Sequence, residues 1–156
     1  MSLEEIIESY ESTTTLIDNN EQKEITKIDI CLNYAYSVSD MLKKQDFNVE
    51  YDKKMILSDK DKDLDVLFEK YKILIRCKFR IKKKVCYHDI NMLSSTLNND
   101  KYKEHVGVMV SNQDYSDNAK KEANNAKIII CRTENLVKKI ADHITFLKRL
   151  DDKLTN

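Results

Sequence analysis

The sequence predicts a mixed α/β domain in which helices cover both faces of a β-sheet, with the element order αβββαβαβα. Two patterns support this fold class. Residues 63 to 80 alternate apolar and charged side chains with the period of two that is typical of strands. The second half of the chain alternates short apolar runs with amphipathic helical segments, which indicates parallel strands joined by helical crossovers.

Length and composition narrow the class of protein. The 156 residues, 41% of them hydrophobic, are enough for one domain with one core. No apolar run approaches the roughly 18 to 20 residues needed to cross a bilayer, so we expect no membrane partner. A single glycine excludes the glycine-rich phosphate loops of nucleotide-binding enzymes. The acidic N-terminus lacks the basic start of a signal peptide, which predicts an intracellular protein, cytoplasmic or nuclear.

Residues 1 to 20 are predicted to form an acidic amphipathic helix and a connector. Ser2 and Glu5 make a capping-box pattern, and four apolar residues share one face of the predicted helix: Leu3, Ile6, Ile7 and Tyr10. The compact domain is expected from residue 21 to residue 156. Its first helix reaches about residue 45 and carries one apolar stripe: Ile25, Ile28, Leu32, Ala35, Val38 and Leu42. Residues 48 to 57 then change to strand-like content.

A β-hairpin is predicted over residues 63 to 80, with its turn near Lys70 and Tyr71. On the apolar face, this register pairs Phe68 with Ile73, Val66 with Ile75, and Leu64 with Cys77. On the other face it pairs Glu69 with Lys72, Asp65 with Arg76, and Asp63 with Lys78. Because the turn lacks Asn-Gly, a loop longer than two residues is also compatible with the pattern.

The second half supplies the parallel part of the sheet. A helix is predicted over residues 87 to 97, a buried strand over residues 106 to 110, and a strand over residues 128 to 130. Between these strands, Ser116 is expected to cap a helix with a small-residue face made by Ala119, Ala123 and Ala126. Thr133 is expected to cap the last helix, which reaches about residue 150.

Charge is unevenly distributed although the net charge is zero. Residues 70 to 84 hold eight basic residues and no acid, and within the strand the bases fall on alternate positions. One interpretation is a solvated edge strand. The interpretation that we favour is binding to a polyanion, because basic groups release counterions from phosphates. The expected phosphate contacts are Arg76, Arg80, Lys82, Lys83 and Lys84.

A known family shares these features. Asp65, followed by Ile75-Arg76-Cys77-Lys78, resembles the hairpin motif of the PD-(D/E)XK nucleases, and the best match is the Mrr-type restriction endonuclease family. The resemblance spans roughly residues 25 to 145, and the later residues that carry it are Gly107 to Ser111, Tyr115, Ser116, Ala119, Ala123, Ile128 to Ile130 and Leu136. The resemblance implies a restriction-endonuclease-like fold and metal-dependent hydrolysis of phosphodiesters.

The resemblance also implies roles for individual residues. Asp65 corresponds to the first metal ligand and Lys78 to the motif lysine, with Mg²⁺ as the cofactor if the domain is active. The acidic position of the motif is occupied by Arg76, which has no lone pair to offer a metal. Asp63 lies on the same predicted face and could serve as a replacement ligand.

Two functions therefore stand side by side. The first is a DNA endonuclease that uses Asp65, Lys78 and a replacement acid. The second is a catalytically inactive nuclease-fold module that binds the backbone of DNA or another nucleic acid, or binds a protein partner. We expect little base discrimination and weak or absent hydrolysis, and the sequence leaves a homodimer open.

Overall fold

The computed structural model describes the backbone of residues 20–51, 62–68 and 71–155, and the side chains of residues 30–49 and 72–154. Four helices lie in this part of the chain: α1 (Asn20–Lys43), α2 (Tyr87–Leu97), α3 (Asp117–Ala126) and α4 (Leu136–Thr155). The strands described there are β1 (Asn48–Tyr51), β2 (Lys62–Phe68), β3 (Tyr71–Lys78), β4 (Val106–Ser111) and β5 (Ile129–Arg132).

The five strands form one mixed sheet in the order β1-β2-β3-β4-β5. Strands β1, β2 and β3 pair antiparallel, whereas β3, β4 and β5 pair parallel. This arrangement confirms the predicted fold class and element order. Strand β3 is the central strand of the sheet, so the interpretation of its basic residues as a solvated edge strand is wrong.

Helices cover the sheet on both faces. Alternate residues of β3 divide between the two sides: Ile73, Ile75 and Cys77 pack with α1 and α4, whereas Leu74 packs with α2 and α3. The first core includes Tyr34, Ala35, Val38, Leu42, Ile140 and Ile144, and the second includes Met109, Ile90, Leu93, Ala119 and Ala123. The predicted alanine face of α3 is thus confirmed at Ala119 and Ala123, which lie against the second core.

The hairpin register differs from the predicted one by two residues. Phe68 pairs with Tyr71, Val66 with Ile73, and Leu64 with Ile75. Asp65 lies opposite Leu74, and Asp63 lies opposite Arg76. The predicted pairs Phe68 with Ile73, Asp65 with Arg76 and Asp63 with Lys78 are therefore wrong. A shift of two residues preserves the alternation of faces, so each residue keeps the face that the sequence predicts.

Smaller differences concern helix ends and caps. Helix α4 reaches Thr155, beyond the predicted end near residue 150. Ser116 caps α3 as predicted, since its side chain accepts a hydrogen bond from the Ala119 N–H. Thr133 instead opens a 3-10 turn before α4, and its hydroxyl bonds to Tyr34 and to the Ser111 carbonyl. None of the described helices is long and apolar enough to cross a membrane. The predicted acidic helix and connector of residues 1 to 20 lie outside the described residues, apart from Asn20, the first residue of α1.

Candidate functional site at the end of the central strand

Two of the basic residues predicted for the site lie inside the protein. Arg76 and Lys78 project from β3 on the same side as Leu74, beneath α2, and they are only 7% and 9% exposed. A buried cation is tolerated only when it is paired or hydrogen-bonded. Both side chains have partners on α2, so the residues of that helix determine how the two cations are paired.

Asp89 is the acidic partner at the centre of this cluster. Lys78 Nζ lies 3.2 Å from Asp89 Oδ1, and Arg80 Nη2 lies 2.6 Å from Asp89 Oδ2. The Cys86 N–H donates to the same carboxylate at 3.0 Å, because Asp89 is the third residue of α2 and closes a capping box with Cys86. The Asp89 side chain is only 5% exposed. One carboxylate therefore holds the strand end, the following loop and the start of α2 together.

The surroundings of Asp89 keep it ionised. Burial acts to raise the pKa of this carboxyl, but hydrogen bonds from Cys86 and Arg80 and the charge of Lys78 outweigh it. The net result is a pKa below the ordinary value for an aspartate. Asp89 is therefore an anion already neutralised by two cations.

Arg76 has a different partner on α2. Its Nη2 donates to Thr96 Oγ1 at 2.7 Å, near the C-terminal end of the helix. The two ends of α2 are thus fixed to β3 by separate polar contacts, Asp89 at the start and Thr96 at the end. Leu93 lies between them and is fully buried in the apolar core.

The two strand aspartates are placed by the register of the hairpin. Asp63 lies directly opposite Arg76, and Asp65 lies opposite Leu74. Opposite residues of an antiparallel pair share a face, so both aspartates belong to the face of Arg76 and Lys78. The partner of Asp63 on β3 is two residues closer to Lys78 than the partner of Asp65 is.

The remaining predicted lysines lie on the loop of residues 79 to 86, which we call the lysine loop. Lys82, Lys83 and Lys84 are exposed at its tip. Asn112 forms two hydrogen bonds with the Arg80 backbone, accepting from its N–H at 2.8 Å and donating to its carbonyl at 2.5 Å. At the other end, the Val85 N–H donates to Asp114 and the Val85 carbonyl accepts from Ser116, both at 2.9 Å. The side-chain amide of Asn112 at one end and the backbone of Asp114 and Ser116 at the other hold the loop against the segment that follows β4.

A family comparison decides the identity of this domain. The Mrr catalytic-domain model, described as a restriction endonuclease, matches residues 33–140, which is more than half of the chain. The chain belongs to the Mrr restriction endonuclease family. The matched range contains the predicted motif residues Asp65, Arg76 and Lys78, which lie on β2 and β3.

Solved structures are more distant. A protein of unknown function, AF1548, is 14% identical with a TM-score of 0.51, over 62% of this chain and 55% of its own. EndoMS in its apo form is 12% identical with a TM-score of 0.49, over 64% of this chain and 45% of its own. The MspJI restriction endonuclease in complex with a 27-mer oligonucleotide is 12% identical with a TM-score of 0.46, over 85% of this chain and 30% of its own. The chain thus spans little more than half, or less, of these proteins. The first of them shows a shared fold, and no curated protein sequence matches significantly.

The described residues of the motif do not fit the Mg²⁺ ion that the family resemblance implies. Arg76, which the resemblance predicts to stand at the acidic position, donates to Thr96, and a guanidinium has no lone pair for a metal. Asp89 is the carboxylate near Lys78, but it accepts from two cations. Among the side chains that the structure describes, no three His, Cys, Asp or Glu residues converge to hold a metal ion. The side chains of Asp63 and Asp65 lie outside that part of the structure.

Sequence reasoning missed three residues of this region: Asp89, Thr96 and Asn112. The sequence did contain a signal for Asp89. In a capping box, an acid stands three positions after the residue that precedes the helix, and Asp89 has this spacing from Cys86. Here the first residue is Cys86 rather than Ser or Thr, which hid the pattern. Thr96 and Asn112 act over 20 and 32 residues of sequence separation, and no local pattern indicates such contacts.

Proposed function

We propose that this domain binds nucleic acid through backbone phosphates and cleaves it weakly or not at all. The observation that carries the proposal is the buried guanidinium of Arg76, which donates to Thr96 at 2.7 Å, at the position where the family resemblance leads us to expect an acid. The described polar face at the end of β3 therefore offers cations where metal-dependent hydrolysis needs carboxylates.

The binding part of the proposal rests on the lysine loop. Lys82, Lys83 and Lys84 are exposed, and they follow each other on a loop that hydrogen bonds hold in place. A loop fixed at both ends by hydrogen bonds loses less conformational freedom on binding than an unanchored one does. Its three charges would contact adjacent phosphates and release counterions. Arg80 lies beside them but is paired with Asp89. We therefore expect it to add to the positive electrostatic potential rather than to contact a phosphate directly.

The catalytic part rests on electrostatics. A cation beside an aspartate satisfies the carboxylate and repels a divalent metal. Asp63 lies directly opposite Arg76 in the sheet, and the motif lysine Lys78 is held by Asp89 at 3.2 Å. These contacts favour a nuclease fold that retains substrate binding after losing the acid of its motif.

A second candidate function is metal-dependent cleavage with Asp63 as the replacement acid. One observation favours it: Asp63 and Asp65 share a face, and Asp63 is the closer of the two to Lys78 along the sheet. In this alternative two strand carboxylates, rather than one carboxylate and Arg76, would hold Mg²⁺.

A nicking assay on supercoiled DNA with Mg²⁺ or Mn²⁺ separates the two candidates. We expect no nicking by the wild type, and gain of nicking in Arg76→Glu that is lost again in Arg76→Glu with Asp65→Ala. Arg76→Gln is the control that removes the charge without supplying a carboxylate. Circular dichroism of each variant verifies folding, because Arg76 is buried.

The opposite result would identify an active nuclease. If the wild type nicks DNA and loses that activity in Asp65→Ala, Lys78→Ala and Asp63→Ala, the pseudo-nuclease proposal is wrong. Wild-type protein that shows no binding to DNA or RNA at low salt would overturn the binding proposal and leave a protein partner as the remaining function.

A further inference from the structure

Helix α2 presents an unusual outer surface beside the lysine loop. Five exposed residues share one side of the helix and define what we call the α2 outer face: Tyr87, His88, Asn91, Met92 and Ser95. Tyr87 and Met92 are 46% and 48% exposed. No lysine, arginine or carboxylate lies on this face, although 35% of the chain is Asp, Glu, Lys or Arg.

The other helices on the protein surface differ. Exposed positions of α3 include Asp117, Lys120 and Lys121, and those of α4 include Lys138, Lys139 and Asp142. The single Asp, Glu, Lys or Arg residue of α2 is Asp89, which is buried and neutralised by Lys78 and Arg80. A solvated surface helix ordinarily carries charged residues on its outer side. The absence of Asp, Glu, Lys and Arg from the α2 outer face therefore indicates a contact surface.

The positive charge of the neighbouring lysine loop indicates what kind of partner the α2 outer face binds. Lys84 precedes the first residue of α2 by only three positions, so three lysines adjoin one end of the α2 outer face. The combined surface is positive at one end and uncharged along the helix, and neither part contains an exposed acid. Asp114 is exposed beside the loop, but its carboxylate is paired with Arg132 at 3.1 Å. A polyanion whose interior is uncharged and rich in hydrogen-bonding groups is complementary to both parts.

We propose that the α2 outer face reads base edges in the major groove of duplex DNA while the lysine loop holds the adjoining phosphates. This inference rests on the proposed nucleic-acid binding and adds base recognition, where the sequence alone predicts little base discrimination. Phosphate contacts position a protein on DNA, and contacts to base edges give it specificity.

The helix has suitable dimensions and chemistry for this role. Its 11 residues span about 16 Å, and the major groove admits an α-helix. The Asn91 side-chain amide can donate one hydrogen bond and accept another at once. This matches the acceptor N7 and the donor N6 of an adenine edge. His88 and Ser95 add further hydrogen-bonding groups, and Tyr87 and Met92 supply apolar contact to thymine methyl groups.

The test is selection from duplexes with a randomised central segment, followed by sequencing of the bound fraction. We expect wild-type protein to enrich particular bases at a few adjacent positions. Asn91→Ala should lose about ten-fold discrimination at one or two of those positions. Asn125→Ala is the matched control, since Asn125 is an exposed asparagine on α3. Tyr87→Ala is paired in the same way with Tyr36→Ala, because Tyr36 is 43% exposed on α1.

The outcomes separate this inference from the proposed function. If wild-type protein binds but the bound pool equals the input, or if Asn91→Ala weakens all sequences equally, base reading by α2 is wrong while phosphate binding stands. If Asn91→Ala and Asn125→Ala behave alike, base reading is also wrong. Absence of any binding at low salt overturns both proposals together.

Discussion

The basic segment of residues 70 to 84 has two parts, the end of β3 and the lysine loop, which place the same residue types in opposite environments. In β3, Arg76 and Lys78 are buried and bonded to α2. A few residues later, Lys82, Lys83 and Lys84 are exposed on the lysine loop. The difference arises because α2 covers the side chains of Arg76 and Lys78 but not the tip of the lysine loop. A cation under a helix contributes to the fold, and a cation beyond its edge is available to a ligand.

The largest loss of stability should follow from removing the carboxylate of Asp89, which pairs with the buried Lys78. Asp89→Ala leaves Lys78 and Arg80 without their shared carboxylate, and breaking a buried ion pair in this way costs about 3 to 5 kcal/mol. Urea unfolding followed by circular dichroism measures the free energy. The matched control is Asp114→Ala, which breaks an exposed pair with Arg132 and should cost about 0 to 1 kcal/mol. Equal losses in the two variants would show that the Asp89 cluster is not a buried network.

A smaller effect is expected at the other end of α2. Thr96→Val removes the oxygen that accepts from Arg76 at 2.7 Å while preserving the side-chain shape. Hydrogen bonds to charged groups contribute about 1.5 to 3 kcal/mol, so the free energy of unfolding should fall by an amount within that range. Thr145→Val on the exposed side of α4 is the control. A Thr96→Val protein as stable as that control would mean that Arg76 is held by its other contacts.

Acid should weaken the Asp89 cluster without any mutation. The folded-state pKa of Asp89 is depressed, so its contribution is complete above about pH 5 and is lost as the pH falls through that depressed pKa. Burial also lowers the pKa of His143, and charging this residue destabilises the fold in acid. Comparing the wild type with Asp89→Asn separates the two groups, since both proteins retain His143. Parallel stability curves from pH 6 down to pH 2 would contradict the assignment to Asp89.

The exposed half should show the smallest effect on stability and a large one on binding. Replacing Lys82, Lys83 and Lys84 with Glu is expected to change the free energy of unfolding by no more than about 0.5 kcal/mol. Affinity for nucleic acid should fall for all sequences alike, and the slope of log K against log salt should become shallower by about 0.9 for each phosphate that the variant no longer neutralises. Fluorescence anisotropy across a salt series measures both. Unchanged affinity in this triple variant would move the binding surface elsewhere.

The sequence predicts which face of the sheet each hairpin residue lies on, but not which elements pack against that face. Alternation places Arg76 and Lys78 together on one side of β3 because side chains of a strand alternate strictly. The same pattern cannot say whether a helix covers that side, since the cover depends on the crossover that leads from β3 to β4. The predicted register is wrong by two residues because alternation fixes parity alone, and the length of the turn sets the rest.

The candidate site was predictable only in part. The motif roles of Asp65, Lys78 and Arg76 stay predictions from the family resemblance, whereas the shared face of Arg76 and Lys78 follows from local alternation. The partners of these residues depend on contacts across the fold. Asp89 joins three segments at once, and its role follows from tertiary packing of α2 rather than from any spacing along β3.

The order of strands in the sheet has a consequence for how the molecule folds. Because each strand lies beside the next one in the chain, the sheet can be extended one neighbour at a time, and no later strand has to insert between two that are already paired. The β2-β3 hairpin closes a short loop and can form early. Pairing of β3 with β4 must wait for a longer segment that contains α2, whose closure costs more chain entropy. Since β3 belongs to both halves, we expect it to form the folding nucleus, with the parallel strands added afterwards.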